Sequence, residues 1–225
     1  MKRARALGLL ACAIPLAALA ASSAQQDLQE ALSATPSLDR GAQHFMECAS
    51  CHGASGGGTP DGAVPRLAGQ HSSVLVKQLV DFRYGQRSNT RMEPRADRHH
   101  LESAQDMADV AAYASQLTDS APVGIGPGDH VADGAALYGR ACQTCHGASA
   151  EGDARARIPR LAGQHYAYLR RQIYDAIEGR RPNIAIAHRT LLAHLDQDDV
   201  VAVADYLSRA TVREDTRRAG GAGVQ

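Results

Sequence analysis

Cys48-Ala49-Ser50-Cys51-His52 and its copy Cys142-Gln143-Thr144-Cys145-His146 decide how this chain is read. Two thiols at this spacing can add across the two vinyl groups of a porphyrin, and the histidine that follows supplies an imidazole to the iron. A redox dithiol does not need the adjoining histidine. A zinc site needs a further cysteine or histidine pair nearby, and neither copy has one. The sequence therefore predicts two covalently bound haem c groups, attached through Cys48, Cys51, Cys142 and Cys145, with His52 and His146 on the irons.

Working outward, both motifs continue into Gly-Ala-Ser, and each is followed by a second matching block. Val64-Pro65-Arg66-Leu67-Ala68-Gly69-Gln70-His71 is repeated as Ile158-Pro159-Arg160-Leu161-Ala162-Gly163-Gln164-His165. The same offset aligns Gln78 with Gln172, Asp81 with Asp175, Gly85 with Gly179, Arg87 with Arg181 and Asn89 with Asn183. Roughly 20 of the 42 aligned positions are identical, so the chain is an internal duplication with two similar domains. The glycine-rich run after the first motif, Gly53 to Pro60, lacks the preceding strand and following Gly-Lys-Ser/Thr of a phosphate cradle. It reads instead as backbone lying close to the haem edge.

The apolar spacing is helical throughout, and the expected fold is all-α. One helix is expected from Ser37 to about Cys48 with Phe45 inward, and a matching pair over 70–85 and 164–179, each ending in glycine. The last helix of each domain is expected over 105–117 and 198–207. The domain boundaries predicted are a signal peptide at 1–20, a flexible lead-in at 21–36 containing at most a short helix over 27–32, and a first domain at 37–118. A linker at 119–130, a second domain at 131–212 and a disordered tail at 213–225 complete the chain.

Residues 1–20 have a basic start, an apolar stretch and a small-x-small site at Ala18-Leu19-Ala20, which reads as a cleaved secretory signal and a periplasmic destination. Leu9-Leu10-Ala11-Cys12 only imitates a lipoprotein box, because the apolar run continues past Cys12. Of five cysteines, the four outside this segment all belong to the haem motifs, so none is left for a disulfide. Cleavage moves the formal charge from zero to about −3, which gives no polybasic patch for nucleic acid. With no Trp and two Phe in 225 residues, the core needs a large flat filler, and porphyrin is one.

The paired haem motifs, the twin Pro-Arg-Leu-Ala-Gly-Gln blocks and the helical order resemble the dihaem cytochrome c4 family, from about Asp39 to Ala210. The resemblance implies two class I cytochrome c domains about a pseudo-twofold axis. It also implies single-electron transfer between redox proteins, with a membrane quinol-oxidising complex or a dehydrogenase as donor and a haem-copper oxidase as acceptor. Peripheral association with the membrane is compatible with such a role. In class I cytochromes a proline carbonyl after the motif orients the proximal imidazole, and Pro65 and Pro159 match that position.

For the sixth ligand of the first haem, Met92 lies in the loop before the last helix, where the family places its axial methionine. Met46 and Met107 read as packing residues. The second domain departs from the pattern, since from Gly147 onward it has no methionine. His188 in Ala187-His188-Arg189-Thr190 stands where the family often has Met-Arg-Thr, and His194 or an open iron are the alternatives. His71 and His165, at equivalent helix starts, read as capping, packing or propionate-side residues. His44, His99, His100 and His130 read as solvated. Arg87, Arg181, Asn89 and Asn183 are candidate donors to haem propionates. An electron carrier is favoured over a dihaem enzyme of the thiosulfate dehydrogenase or peroxidase kind, for which only the missing methionine speaks. A cytochrome subunit of a dehydrogenase complex is a third reading.

Overall fold

The computed structural model describes residues 16–118 and 121–212. Its helices, in order, are α1 (Leu16–Ser33), α2 (Leu38–His52), α3 (Ser72–Arg83), α4 (Ala104–Gln116), α5 (Val131–Ala141), α6 (Gln143–His146), α7 (Tyr166–Ile177), α8 (Ile186–Leu192) and α9 (Gln197–Arg209). A 3₁₀ turn at Pro94–Ala96 precedes α4. Among the described residues there is no strand, only one isolated bridge between Asp153 and Ile158.

Each domain is built on a crossing of its first and last helix. A Cβ on Gly41 of α2 would lie 2.2 Å from the Asp109 carbonyl of α4, and one on Gly134 of α5 would lie 2.0 Å from the Ala202 carbonyl of α9. Only glycine lets the two backbones approach so closely. One turn on, Phe45 packs on Tyr113 at 5.4 Å between ring centroids, and Tyr138 on Tyr206 at 5.5 Å. Such tilted pairs add about 1 kcal/mol to the area they bury. Capping boxes start both last helices, Ser103 with Asp106 and Asp196 with Asp199. A buried carboxylate in each last helix also receives the backbone N–H ahead of the first helix: Asp109 from Ser37 at 2.7 Å, and Asp205 from Gly128 at 2.5 Å. These two aspartates are not at equivalent positions, so the two copies reached the same device from neighbouring turns.

Several expectations are corrected. The lead-in is not flexible over its length: α1 runs to Ser33, and Ala24 and Ala31 are buried in the first domain's core beside Val76 and Val80. Asp27 fixes it there, accepting from Arg83 Nη1 at 3.0 Å, Tyr84 OH at 2.9 Å and Arg98 Nη2 at 3.1 Å. A polar, small-residue segment looks weakly ordered in isolation, but its carboxylate finds partners more than fifty residues away. Helix α2 continues through the whole first motif to His52, whereas the second motif is broken at Cys142 between α5 and α6. Met46 is 71% exposed and packs nothing, while Met107 is fully buried as expected. The segment carrying His188 is a helix, α8, and not a loop.

Residues 121–130 of the linker lie along the second domain, with Gly124 N donating to His165 Nδ1 and Gly126 O accepting from Arg209. The expected signal peptide lies largely, and the expected tail wholly, outside the described residues. Among the described residues no helix is long and apolar enough to cross a membrane.

The α1 clamp generates a test. Arg83 is 5% exposed and also donates to the Ala96 and Leu101 carbonyls, so removing its carboxylate leaves a buried charge uncompensated. Asp27→Ala should destabilise the protein by about 3 kcal/mol in denaturant unfolding, and adding Arg83→Met should recover part of that loss. Unchanged unfolding in the single variant would show that α1 is not fixed by this pair.

Candidate haem-binding sites

In the first domain Cys48, Cys51 and His52 lie on the last turns of α2; in the second, Cys145 and His146 lie on the single turn of α6, with Cys142 at its cap. Burial and the adjacent Glu47 carboxylate push the Cys48 thiol up to about 11, and burial followed by Cys145 raises Cys142. Cys51 and Cys145 are exposed.

His52 and His146 are 5% and 7% exposed. Each ring sets its Nδ1 against a carbonyl thirteen residues on, His52 to Pro65 at 2.9 Å and His146 to Pro159 at 3.0 Å. A carbonyl can only accept, so Nδ1 carries the proton and Nε2 is left with a free lone pair. Desolvation lowers both imidazole pKa values against the opposing pull of those carbonyls, and His188 lowers His146 further. A buried neutral imidazole with Nε2 free is the form that binds a metal. The loop reaches back because Gly58 and Gly152 have φ of +73° and +76°, and a Cβ on either would meet the proline's own peptide at 2.6 Å. These glycines therefore make room for backbone.

The ring of His188 on α8 faces His146, with centroids 6.0 Å apart and planes at 43°. Two imidazoles each about 2 Å from one metal, with nitrogens about 1.1 Å from their centroids, would stand about 6 Å apart. The spacing fits an iron between the rings. Desolvation, and then Arg181, lowers the His188 pKa, which keeps that ring neutral as well. His188 is thus a residue that this fold brings against His146. Met92 is half-buried on the turn before the 3₁₀ segment, where Asn89 Oδ1 accepts from Arg91 N at 3.0 Å and Met92 N at 3.1 Å.

Of the four residues expected to serve the propionates, three are engaged elsewhere. Asn89 caps the Met92 turn, Asn183 Nδ2 donates to Asp81 at 2.7 Å, and Arg87 crosses to the other domain, donating to Tyr168 OH at 2.9 Å and Gln172 at 2.6 Å. Arg181 differs: its Nε is buried without a partner, as is Asn183 Oδ1, and burial together with Arg87 pushes its guanidinium down to about 10. An orphaned buried donor beside a second guanidinium is a place for a carboxylate.

The sequence reading gave no role to Gln70 and Gln164, although both belong to the duplicated block. Gln70 Nε2 donates to the Arg160 carbonyl and Gln164 Nε2 to the Arg66 carbonyl, both at 2.9 Å. His71 Nε2 lies 2.8 Å from the Glu151 carbonyl and His165 Nε2 lies 2.7 Å from the Gly57 carbonyl, so both rings donate across the domain boundary. Reciprocal bonds of this kind are the signature of a pseudo-twofold interface. The bond to Gly57 is fully buried, and its ring is held by Gly124 N on the other side. Surface carboxylates pair with His44, His100 and His130.

The cytochrome c family model matches residues 38–118 and again 131–211. The chain is 38% identical over 170 residues to a cytochrome c4 of Pseudomonas aeruginosa, covering 71% of this chain and 82% of that protein. It is 36% identical over 181 residues to a thiosulfate dehydrogenase electron acceptor of Stutzerimonas stutzeri, covering 75% and 81%. The reduced recombinant cytochrome c4 from Pseudomonas stutzeri superposes with a TM-score of 0.71 at 28% identity, over 79% of this chain and all of that one. With two haem c groups attached at Cys48 and Cys51 and at Cys142 and Cys145, the chain belongs to the dihaem cytochrome c4 family.

Proposed function

We propose that the protein is a periplasmic electron carrier whose first haem has His52 and Met92 as axial ligands and whose second has His146 and His188. The observation that supports this is the His188 ring standing 6.0 Å, centroid to centroid, from the His146 ring, a spacing that suits two imidazoles on opposite sides of one iron and would leave no axial position of that haem for a substrate. Haem iron supplies a one-electron Fe(III)/Fe(II) couple, tuned by its axial ligands. The chain's residues do the rest: Pro65 and Pro159 fix the proximal rings, and Asn89 holds the turn that presents Met92. Arg181 offers its unpaired donor to a propionate.

The donor is a membrane quinol-oxidising complex or a dehydrogenase, and the acceptor a haem-copper oxidase. The relative that is named a thiosulfate dehydrogenase electron acceptor favours a second reading, in which thiosulfate oxidation feeds this carrier. Rapid reduction by a thiosulfate dehydrogenase and none by a quinol-oxidising complex would select it.

Two outcomes test the ligand assignments. The oxidised protein should show the weak near-infrared sulfur-to-iron band of a His/Met haem, and Met92→Ala should abolish it while lowering the potential of one haem only. Survival of the band would remove Met92 from the iron.

Because a second imidazole favours Fe(III) where a thioether favours Fe(II), the second domain should lie lower in potential by about 100 to 300 mV, part of the roughly 0.8 V that axial ligands span. The second domain is then the end that receives electrons and the first the end that passes them on. Spectroelectrochemical titration should give two waves, the lower carrying the bis-histidine paramagnetic signal and rising in His188→Met. A lower wave indifferent to that substitution would discard both the ligand and the direction.

A further inference from the structure

We infer that each domain sets the redox potential of the other domain's haem, through a glutamine bonded to the far side of the peptide that holds the proximal histidine. The Pro65 carbonyl accepts from His52 Nδ1 at 2.9 Å, and the N–H of that same peptide unit, on Arg66, donates to Gln164 Oε1 of the second domain at 3.0 Å. The mirror arrangement is complete. The Pro159 carbonyl accepts from His146 Nδ1 at 3.0 Å, and Arg160 N donates to Gln70 Oε1 of the first domain at 3.0 Å.

A peptide is one resonance unit, so a bond accepted at its oxygen and one donated at its nitrogen strengthen each other. Gln164 draws on the Arg66 N–H, which makes the Pro65 oxygen more negative. That oxygen then pulls harder on the Nδ1 proton of His52, and the imidazole becomes a stronger base toward metal. A more basic ligand favours Fe(III), so Gln164 lowers the potential of the first haem and Gln70 that of the second. The effect crosses the interface because the glutamine sits on one domain and the tuned histidine on the other.

The geometry is over-determined, as a tuning device requires. Each glutamine oxygen also accepts from its own following N–H, His71 or His165, at 3.0 Å, which fixes the amide's orientation. Its Nε2 returns to the Arg66 or Arg160 carbonyl at 2.9 Å, so both ends of the amide grip one residue. On the opposite side Gly58 and Gly152 press against the proline peptides and leave them no freedom to turn. An interface that served adhesion alone would have no reason to bond the two peptides that carry the proline carbonyls.

The inference rests on His52 and His146 being proximal ligands, and its test separates the two questions. In the holoprotein, Gln164→Leu should raise the first-domain wave by a threefold to tenfold change in oxidised-to-reduced ratio at fixed poise, about 28 to 59 mV, and leave the second unmoved. Gln164→Glu, whose charged oxygen pulls harder on the Arg66 N–H, should move the same wave the opposite way. Gln70→Leu should move the second-domain wave only. Waves are assigned to domains by their response to Met92→Ala and His188→Met.

A shift confined to the mutated domain, no shift, or both waves moving alike in the leucine and glutamate variants would overturn the inference. The last pattern would mean that the substitutions merely part the domains. Failure of the proximal assignment shows separately, as a haem spectrum that survives His52→Ala or His146→Ala. Should Gln164→Leu not fold, Gln70→Leu tests the same relation from the other side.

Discussion

Everything in this molecule is arranged around one hydrogen bond made twice, from the imidazole after each cysteine pair to a proline carbonyl thirteen residues on. To make it, the chain must leave the motif helix and double back in a short span, so a side chain is excluded at Gly58 and Gly152. Proline fixes its own φ, which helps hold its carbonyl as a stiff acceptor. The residues that follow, Arg-Leu-Ala-Gly-Gln-His, are thereby presented on the outer side of the loop. That surface is where the domains meet, and both histidines and both glutamines of the block are used across it. The duplicated block therefore holds the ligand on one side and the other domain on its outer face.

Away from that axis the two copies have diverged. In the first domain α1 covers α3, burying Val76 and Val80, and Arg83 ties α1 to the Ala96 carbonyl just beyond Met92. At the aligned positions the second domain has Arg170, Tyr174 and Ile177. Arg170 stacks on Tyr166 at 5.4 Å and helps line an open cavity of about 350 Å³. Among the described residues no helix covers that face as α1 covers α3, and it carries charged and aromatic groups. The distal segment is folded into α8, which carries His188 to His146.

The sequence revealed what is local and repeated. The haem motifs, the duplication, the Pro-Arg block and the paired helices ending in left-handed Gly85 and Gly179 all depend on residues close in the chain. The features that escaped it depend on distant partners. Asp27 looks solvated until Arg83 is placed beside it. Arg87 looks free for a propionate until Tyr168 and Gln172 arrive from the other domain. Gln70 and Gln164 were visible as part of a repeat, but a repeat shows that a residue is duplicated, not which copy it touches. His188 stands in a family pattern that belongs to a loop, and the seven residues of α8 are too few for a helical periodicity to show.

The interface has a further physical consequence, which comes from its charge. Arg87 and Arg181 both reach the boundary, and the groups between them, Gln78, Gln172 and Tyr168, are neutral acceptors. Asp81 is held by Lys77 and Asn183, and Asp175 by Arg180 and Gln172, and the two carboxylates offset only part of the burial and repulsion that Arg181 meets. Two cations brought together away from water repel, and the depressed Arg181 registers that repulsion along with its burial. The reciprocal glutamine and histidine bonds therefore act beside a like-charge pair that the nearby carboxylates only partly offset. A carboxylate entering beside the orphaned Arg181 Nε would reverse the sign of that contribution. Haem brings carboxylates of its own. A propionate at Arg181, as proposed above, would add an anion to the Asp81 and Asp175 carboxylates already near that guanidinium and so would favour domain docking.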